Sequence, residues 1–408
     1  MAERQVGMAR GGRARAWASV IGVAVLAVSA CTTAESTPAV GGGDTTGASS
    51  VSAASEAAPL GLALTPADKA AEVAPGEPVV VAATGGKLTD VKVTGQDGKV
   101  VAGALSADGA SWRSTEALGY GKTYTTAATG QDSAGKTVSS TSTFTTAKPK
   151  RQTALSMNPL DGQKVGVGQP FAFYFDVAIA DKAAVEKAIQ VTATPAAEGA
   201  FYWFSDKEVH WRPKEYWKPG TTVVVDAAVY GKHFGNGFYG REDRKATVTI
   251  GDSVTALVDG ATHQMTVTVN GTVARTIPVS LGKKAHETPV GTYVVMSEHT
   301  NYTMDSSTYG VPVDSAAGYR TKVAVASRMS NSGIFYHSAP WSVKDQGARN
   351  VSHGCINMST ENATWLQSIS SKGDVIVVQN SGGPVLEPWD GLSVWQIPWE
   401  TWKAGGKR

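Results

Sequence analysis

The feature that most constrains this chain is its succession of short alternating apolar runs, each closed by a glycine, asparagine or aspartate turn. The sharpest case is Met265-Thr266-Val267-Thr268-Val269, then Asn270-Gly271, then Thr272-Val273. A two-residue hairpin turn of this kind needs positive φ at both central residues, and Asn-Gly meets that need at low steric cost. Comparable runs recur upstream: Val91-Lys92-Val93 before the turn Gln96-Asp97-Gly98, Thr141-Ser142-Thr143-Phe144, Phe171 to Phe175, Phe201-Tyr202-Trp203-Phe204, Val223-Val224-Val225 and Thr247-Val248-Thr249. Only Asp181 to Ile189 and the stretch from Ser359 or Thr360 through Ile369 read as short helices. With 45 Gly and 18 Pro among 408 residues, the pattern predicts a mainly β chain of two to three domains.

The expected order begins outside the fold. Arg4, Arg10, Arg13 and Arg15 precede the apolar run Trp17 to Ala30, too short for the roughly 18 to 20 residues that span a bilayer. Leu26-Ala27-Val28-Ser29-Ala30-Cys31 has the form of a bacterial lipobox, so residues 1–31 read as a lipoprotein-type signal peptide with Cys31 as the lipidation site. That implies export and attachment to the membrane by a lipid anchor, facing the periplasm or cell wall. A tether of Ala, Ser, Thr and Gly follows over 32–59. Two immunoglobulin-like β-sandwich modules are expected at 60–148 and 149–251, a third β-rich domain at 252–379, and a Trp-rich tail at 380–408. Lys plus Arg (37) nearly balances Asp plus Glu (35), which argues against nucleic acid as a partner. His210, His233, His263, His286 and His299 lack partners at metal-ligand spacing and read as structural, with no metal expected.

The chemistry concentrates in Ser352-His353-Gly354-Cys355-Ile356-Asn357, with His337 fourteen intervening residues before it. If Cys31 is acylated, Cys355 is a solitary thiol in an oxidising compartment, because the chain has two cysteines in all. A thiol near neutral pH is mostly protonated, so a nucleophilic one needs a base or backbone dipoles beside it, and this segment offers both. Its place is expected to be a loop that enters a helix, with Asp374 to Val378 as a closing strand.

His337 and the Ser352 to Asn357 run together resemble the signature of the L,D-transpeptidase family, whose catalytic domain is called YkuD-like. The run Thr288-Pro289-Val290-Gly291-Thr292-Tyr293 resembles that family's strand entry. The domain order from about residue 60 to the end is similar to mycobacterial type 2 members. The resemblance implies a two-step acyl transfer in peptidoglycan: Cys355 attacks the carbonyl of the third residue of a tetrapeptide stem, D-alanine leaves, and an amine of a neighbouring stem takes the acyl group to give a 3→3 cross-link. It implies His337 as the base, the Ser338 backbone carbonyl as the group that orients it, and the backbone N–H groups of His353, Gly354 and Cys355 as the oxyanion hole. Tyr319, Met304 and Trp341 become pocket and lid residues, with Ser352 and Asn357 as substrate contacts; between about Asn301 and Val325 the chain is rich in Gly, Ser and Tyr, as suits a mobile lid over a cleft. It also implies acylation by carbapenem β-lactams, with no cofactor in any step.

Two departures from the family pattern stand near the pocket, Asn331 in place of an aromatic residue and Tyr336 in place of a smaller aliphatic one. His353 is an alternative base, less suited because it is only two residues from the thiol. A papain-like hydrolase needs a histidine after its cysteine and a sortase an arginine shortly after it, and the sequence beyond Cys355 offers neither. A carboxypeptidase-type hydrolase of the same family stays open. So does a lipid-tethered wall-binding protein using Trp389, Trp395, Trp399 and Trp402, although those side chains are expected to pack against the tail's own domain.

Overall fold

The computed structural model describes residues 59–316 and 318–407. The leader, Cys31 and all of the tether but Pro59 lie outside the described residues. The chain is mainly β, with two immunoglobulin-like sandwiches ahead of a β-rich domain that carries one longer helix.

In the first sandwich, one sheet runs in the order Gly61–Thr65, Val80–Thr84, Ser111–Ser114, Gly103–Leu105, and the other Gly86–Gly95, Thr123–Asp132, Thr137–Thr145. Alternation turns Val79, Val81, Val93, Trp112 and Phe144 into a shared core. The second sandwich packs the sheet Lys164–Val165, Arg244–Ile250, Thr222–Ala227, Ile189–Thr194 against Gly199–Ser205, Glu208–Pro213, Phe171–Phe175, Leu155–Asn158. Its core is aromatic, built on Phe171, Phe173, Phe175, Trp203 and Trp217. The expected short helix forms over Lys182–Ala188, capped by the Asp181 side chain on the Ala184 N–H.

The third domain has a five-stranded sheet in the order Thr272–Pro278, Gln264–Val269, Val254–Asp259, Val375–Gln379, Gly291–Val294. The Asn-Gly hairpin forms as read, with φ of 50° at Asn270 and 83° at Gly271. A second sheet, Ser297–Asp305, Arg320–Arg328, Phe335–Ser338, Ile356–Met358, faces it. Helix Thr360–Ile369, capped by Ser359, inserts Ala363 and Leu366 into the core between them. It stops at Ser370, ahead of Gly373, whose positive φ of 98° serves the turn into the next strand instead.

That closing strand has two inner faces. Ile376 and Val378 join the core of the third domain, while Val375 and Val377 pack into the aromatic core of the second sandwich. Successive side chains of a strand point to opposite sides, so one strand serves two cores. The tail departs from expectation in the same direction. It meets the domain it follows through Leu386, in that domain's core, and through Gln396, which donates to the Thr292 carbonyl at 2.8 Å. Trp389 is exposed, but the other three tryptophans turn to the second sandwich: the fully buried Trp402 stacks on Tyr202 at 4.9 Å and donates its indole N–H to the Ala200 carbonyl at 2.8 Å. The guanidinium of Arg212 lies over the rings of Trp395, Trp402 and Trp399 at 4.5, 4.7 and 5.4 Å.

Candidate active site

Cys355 does not sit in a loop that runs straight into the helix. It immediately precedes the strand Ile356–Met358, which pairs in parallel with Phe335–Ser338 so that His337 lies opposite Asn357. The pairing is what brings thiol and imidazole, separate in sequence, to one place. The turn before the thiol is stitched from within: Ser352 Oγ donates to the Cys355 carbonyl at 2.6 Å and accepts the Gly354 N–H at 3.1 Å. Gly354 has φ of 118°, a conformation that side-chain-bearing residues rarely adopt. The buried hydroxyl of Thr288 fastens the turn from behind, donating to the Gly354 carbonyl at 2.8 Å and accepting the Gly282 N–H at 3.0 Å.

His337 is 4% exposed, and its Nδ1 lies 3.0 Å from the Ser338 carbonyl oxygen. A carbonyl can only accept, so Nδ1 carries the proton and Nε2 of the neutral ring keeps its lone pair. Burial pushes the His337 pKa down to about 4, against smaller opposing effects of the Ser338 carbonyl and the Asn357 side chain. Burial also pushes the Cys355 thiol up to about 12. Both shifts favour the neutral forms of the resting pair, with the base the sequence offered set beside the thiol. The Cys355 Sγ instead points its proton at the Gly333 carbonyl, 3.5 Å away.

A cavity of about 210 Å³ opens over these groups. Of the residues singled out in the sequence, Met304, Tyr319, His337, Trp341, Ser352, His353, Cys355 and Asn357 line it. Ser338 and Gly354 stand behind it, one orienting the imidazole and the other shaping the turn. The Gly354 amide is already bonded to Ser352 Oγ, which removes it from the expected set of oxyanion donors. Asn357 donates from Nδ2 to Ser342 Oγ at 3.2 Å, while its buried Oδ1 has no protein partner.

The expected lid is narrower than its composition implied. Ser297–Asp305 and Arg320–Arg328 are paired strands, which leaves residues 306–319 as the connection. Its base is held where Arg320 Nε meets Asp305 Oδ2 at 2.8 Å. Sequence reasoning missed Thr321 and Val351 as lining residues, the fastening role of Thr288, and His286, whose ring centre lies 5.1 Å from that of His353. Each owes its place to pairing between distant segments, which leaves no local signal.

A buried thiol, an imidazole with an unprotonated nitrogen and a carbonyl that orients it make up the constellation of nucleophilic acyl-transfer sites. The chain belongs to the L,D-transpeptidase family. The L,D-transpeptidase catalytic domain, YkuD, matches residues 253–378, and a bacterial Ig domain matches residues 70–233. L,D-transpeptidase 2 of Mycobacterium tuberculosis (strain CDC 1551 / Oshkosh) is 46% identical over 341 residues, 84% of this chain and 83% of that protein. L,D-transpeptidase 5 of Mycobacterium tuberculosis (strain ATCC 25618 / H37Rv) is 37% identical over 349 residues, 84% of this chain and 76% of that protein. A solved LD transpeptidase in complex with imipenem is similar at 38% identity, covering 55% of this chain and 97% of its own, with a TM-score of 0.49.

Proposed function

We propose that this protein forms 3→3 cross-links in peptidoglycan through a thioester on Cys355. The observation that carries the reading is the unprotonated Nε2 of His337 set in the same cavity as the thiol. Because the resting pair is neutral, the proton passes from Cys355 Sγ to His337 Nε2 as sulfur attacks the carbonyl of the third, diamino acid residue of a tetrapeptide stem. The oxyanion is met by the backbone N–H groups of His353 and Cys355. His337 then gives its proton to the departing amine of D-alanine, leaving the thioester. An amine on a neighbouring stem attacks next, His337 takes its proton, and the tetrahedral adduct collapses to the new amide and the thiol. Asn357 Oδ1 supports the charged imidazole in between, and Ser338 holds the ring's orientation throughout. No step calls for a cofactor or a metal.

The same nucleophile would open the strained lactam of a carbapenem, leaving an acyl-enzyme on Cys355. In this reading the protein is exported, lipidated at Cys31 and lifted from the membrane by its tether, with 60–148 and 149–251 as spacer modules, 252–379 as the catalytic domain and 380–408 as its fastening tail.

The test is intact-protein mass spectrometry of wild type beside Cys355→Ser, each incubated with a disaccharide-tetrapeptide. The expected result is an adduct on wild type alone, with D-alanine released and a cross-linked dimer formed. Released D-alanine without dimer would replace the transfer reading with hydrolysis. No adduct and no product would return the protein to the class of wall-binding proteins.

A further inference from the structure

Three basic side chains meet beside the cavity, which one of them, His353, lines. Lys283 Nζ lies 3.2 Å from His353 Nε2, and the rings of His353 and His286 are 5.1 Å apart. An ammonium only donates, so His353 offers its Nε2 lone pair to Lys283 and keeps its proton on Nδ1. Among the described residues, no ion pair joins Lys283, His286 or His353 to an acidic side chain. Glu287 is the acidic residue of this loop, and its stem leans toward Gly382. The loop is fixed rather than loosely draped: the Lys283 N–H donates to the Ser352 carbonyl and the Ser352 N–H to the Leu281 carbonyl, both at 3.0 Å. The Lys283 ammonium is thus held by backbone bonds against the segment that carries the nucleophile, with no acidic side chain paired to it among the described residues.

We propose that Lys283, His353 and His286 bind a carboxylate of the donor stem, and that this site selects stems ending one residue beyond the scissile bond. The inference rests on the donor-stem reading above and names how the donor is chosen. A C-terminal residue carries its carboxylate about 3.5 Å along the chain from the carbonyl under attack. His353 lines the same cavity as Cys355, on the side where Lys283 and His286 gather. A longer stem would present a neutral amide there and leave the Lys283 ammonium unanswered. Burial and the neighbouring Lys283 and His286 hold His353 below the usual histidine range, so an anion seated among them should raise it.

The carboxylate could be the terminal one or that of the diamino acid side chain, and three stems separate them: one with both free, one with a terminal carboxamide, and one with the side-chain carboxylate amidated. Binding of each to the Cys355→Ser chain is measured by calorimetry, which reads recognition even if the transfer chemistry assigned to the thiol is wrong. The terminal carboxamide should bind about ten-fold more weakly than the free stem, the scale of one charge-assisted hydrogen bond. Lys283→Ala in the same background should erase that difference, and Lys283→Arg should restore most of it. The free stem should also raise the His353 pKa by NMR, and the carboxamide should not. Equal affinity for free acid and carboxamide, or an unchanged ratio in Lys283→Ala, would overturn the proposal. A penalty confined to the side-chain-amidated stem would overturn selection by chain end.

Discussion

The two junctions in this chain are built on different principles. Where the first sandwich meets the second, the contacts are polar bonds around one small group of tyrosine rings: Tyr230 Oη donates to the Leu118 carbonyl and Tyr120 Oη to the Gly240 carbonyl, each at 2.6 Å, Lys232 pairs with Glu77 at 2.6 Å, and the Tyr120 ring meets those of Tyr230 and Tyr239. Where the second sandwich meets the catalytic domain, the contact is a core. Val375 and Val377 fill the sandwich from a catalytic strand, the Gly166 and Gly168 amides donate to the Lys372 and Gly373 carbonyls at 2.8 Å, and the tail returns to clasp Arg212. Exposed polar contacts contribute about 1 kcal/mol or less each, whereas burying a large apolar side chain contributes about 1.5 to 3. The second sandwich is therefore part of the catalytic body, and the first is attached to it.

The largest expected effect lies at Trp402, the fully buried anchor of the tail. Trp402→Ala should cost about 3 to 5 kcal/mol, from lost contact with Tyr202 and the cavity left behind. Thermal unfolding followed by tryptophan fluorescence would show the midpoint fall, with D-alanine release lost over the same temperature range. A variant whose sandwich melts early while activity survives would break the claim of a single body. Next comes Gly166→Ala. A Cβ there would lie 2.1 Å from Asp374 Oδ1 and 2.4 Å from the Asp374 backbone nitrogen. Overpacking of this kind costs about 1 to 3 kcal/mol, read as a lower urea midpoint. The matching substitution at Gly98, which has open space around it but positive φ, should cost only its local backbone strain, about 1 kcal/mol.

The fused junction also has a pH signature. Burial pushes the Asp374 carboxyl up to about 8, and burial pushes Glu298 nearby up to about 7. A folded state that holds its protons more tightly than the unfolded chain is stabilised at low pH and loses that advantage as pH rises through the window between the two pKa values. Stability should therefore fall between about pH 4 and pH 8. Asp374→Asn should flatten the slope in a pH series of denaturant midpoints. A wild-type midpoint that rises through that window would contradict the buried, protonated carboxyl.

How much of this was legible follows the range of each interaction. The hairpin at Asn270-Gly271, the helix at Lys182–Ala188 and the helix from Thr360 are local decisions of turn, cap and period, and the chain shows them openly. So does the turn of the catalytic signature, since the six adjacent residues Ser352 to Asn357 carry it. The run Asp374 to Val378 reads as a strand, yet nothing in an unbroken apolar run says that its two faces enter two different cores. Four tryptophans in the tail suggest burial without an address; Trp389 is exposed, and the partner of the other three, Arg212, lies far upstream. The lid was drawn too wide because Gly, Ser and Tyr suit an exposed hairpin as well as a loop. The resting charge of Cys355 and His337 was least legible, because desolvation depends on everything packed around the pair.

The smallest expected effect sharpens the comparison most, because it falls on the lighter junction. Tyr230→Phe deletes one hydroxyl, removes its bond to the Leu118 carbonyl and leaves the ring in contact with Tyr120, 5.2 Å away between centres. A net loss of about 0.5 to 1.5 kcal/mol is expected, confined to the contact between the sandwiches. Because no strand is shared there, the loss should loosen how the first sandwich is held without unfolding either partner. Small-angle scattering should show a broader distribution of dimensions, while the catalytic body keeps its melting midpoint and its rate on a soluble stem. If Tyr230→Phe instead slows turnover as Trp402→Ala does, the two junctions transmit stability alike and the division into body and attachment fails.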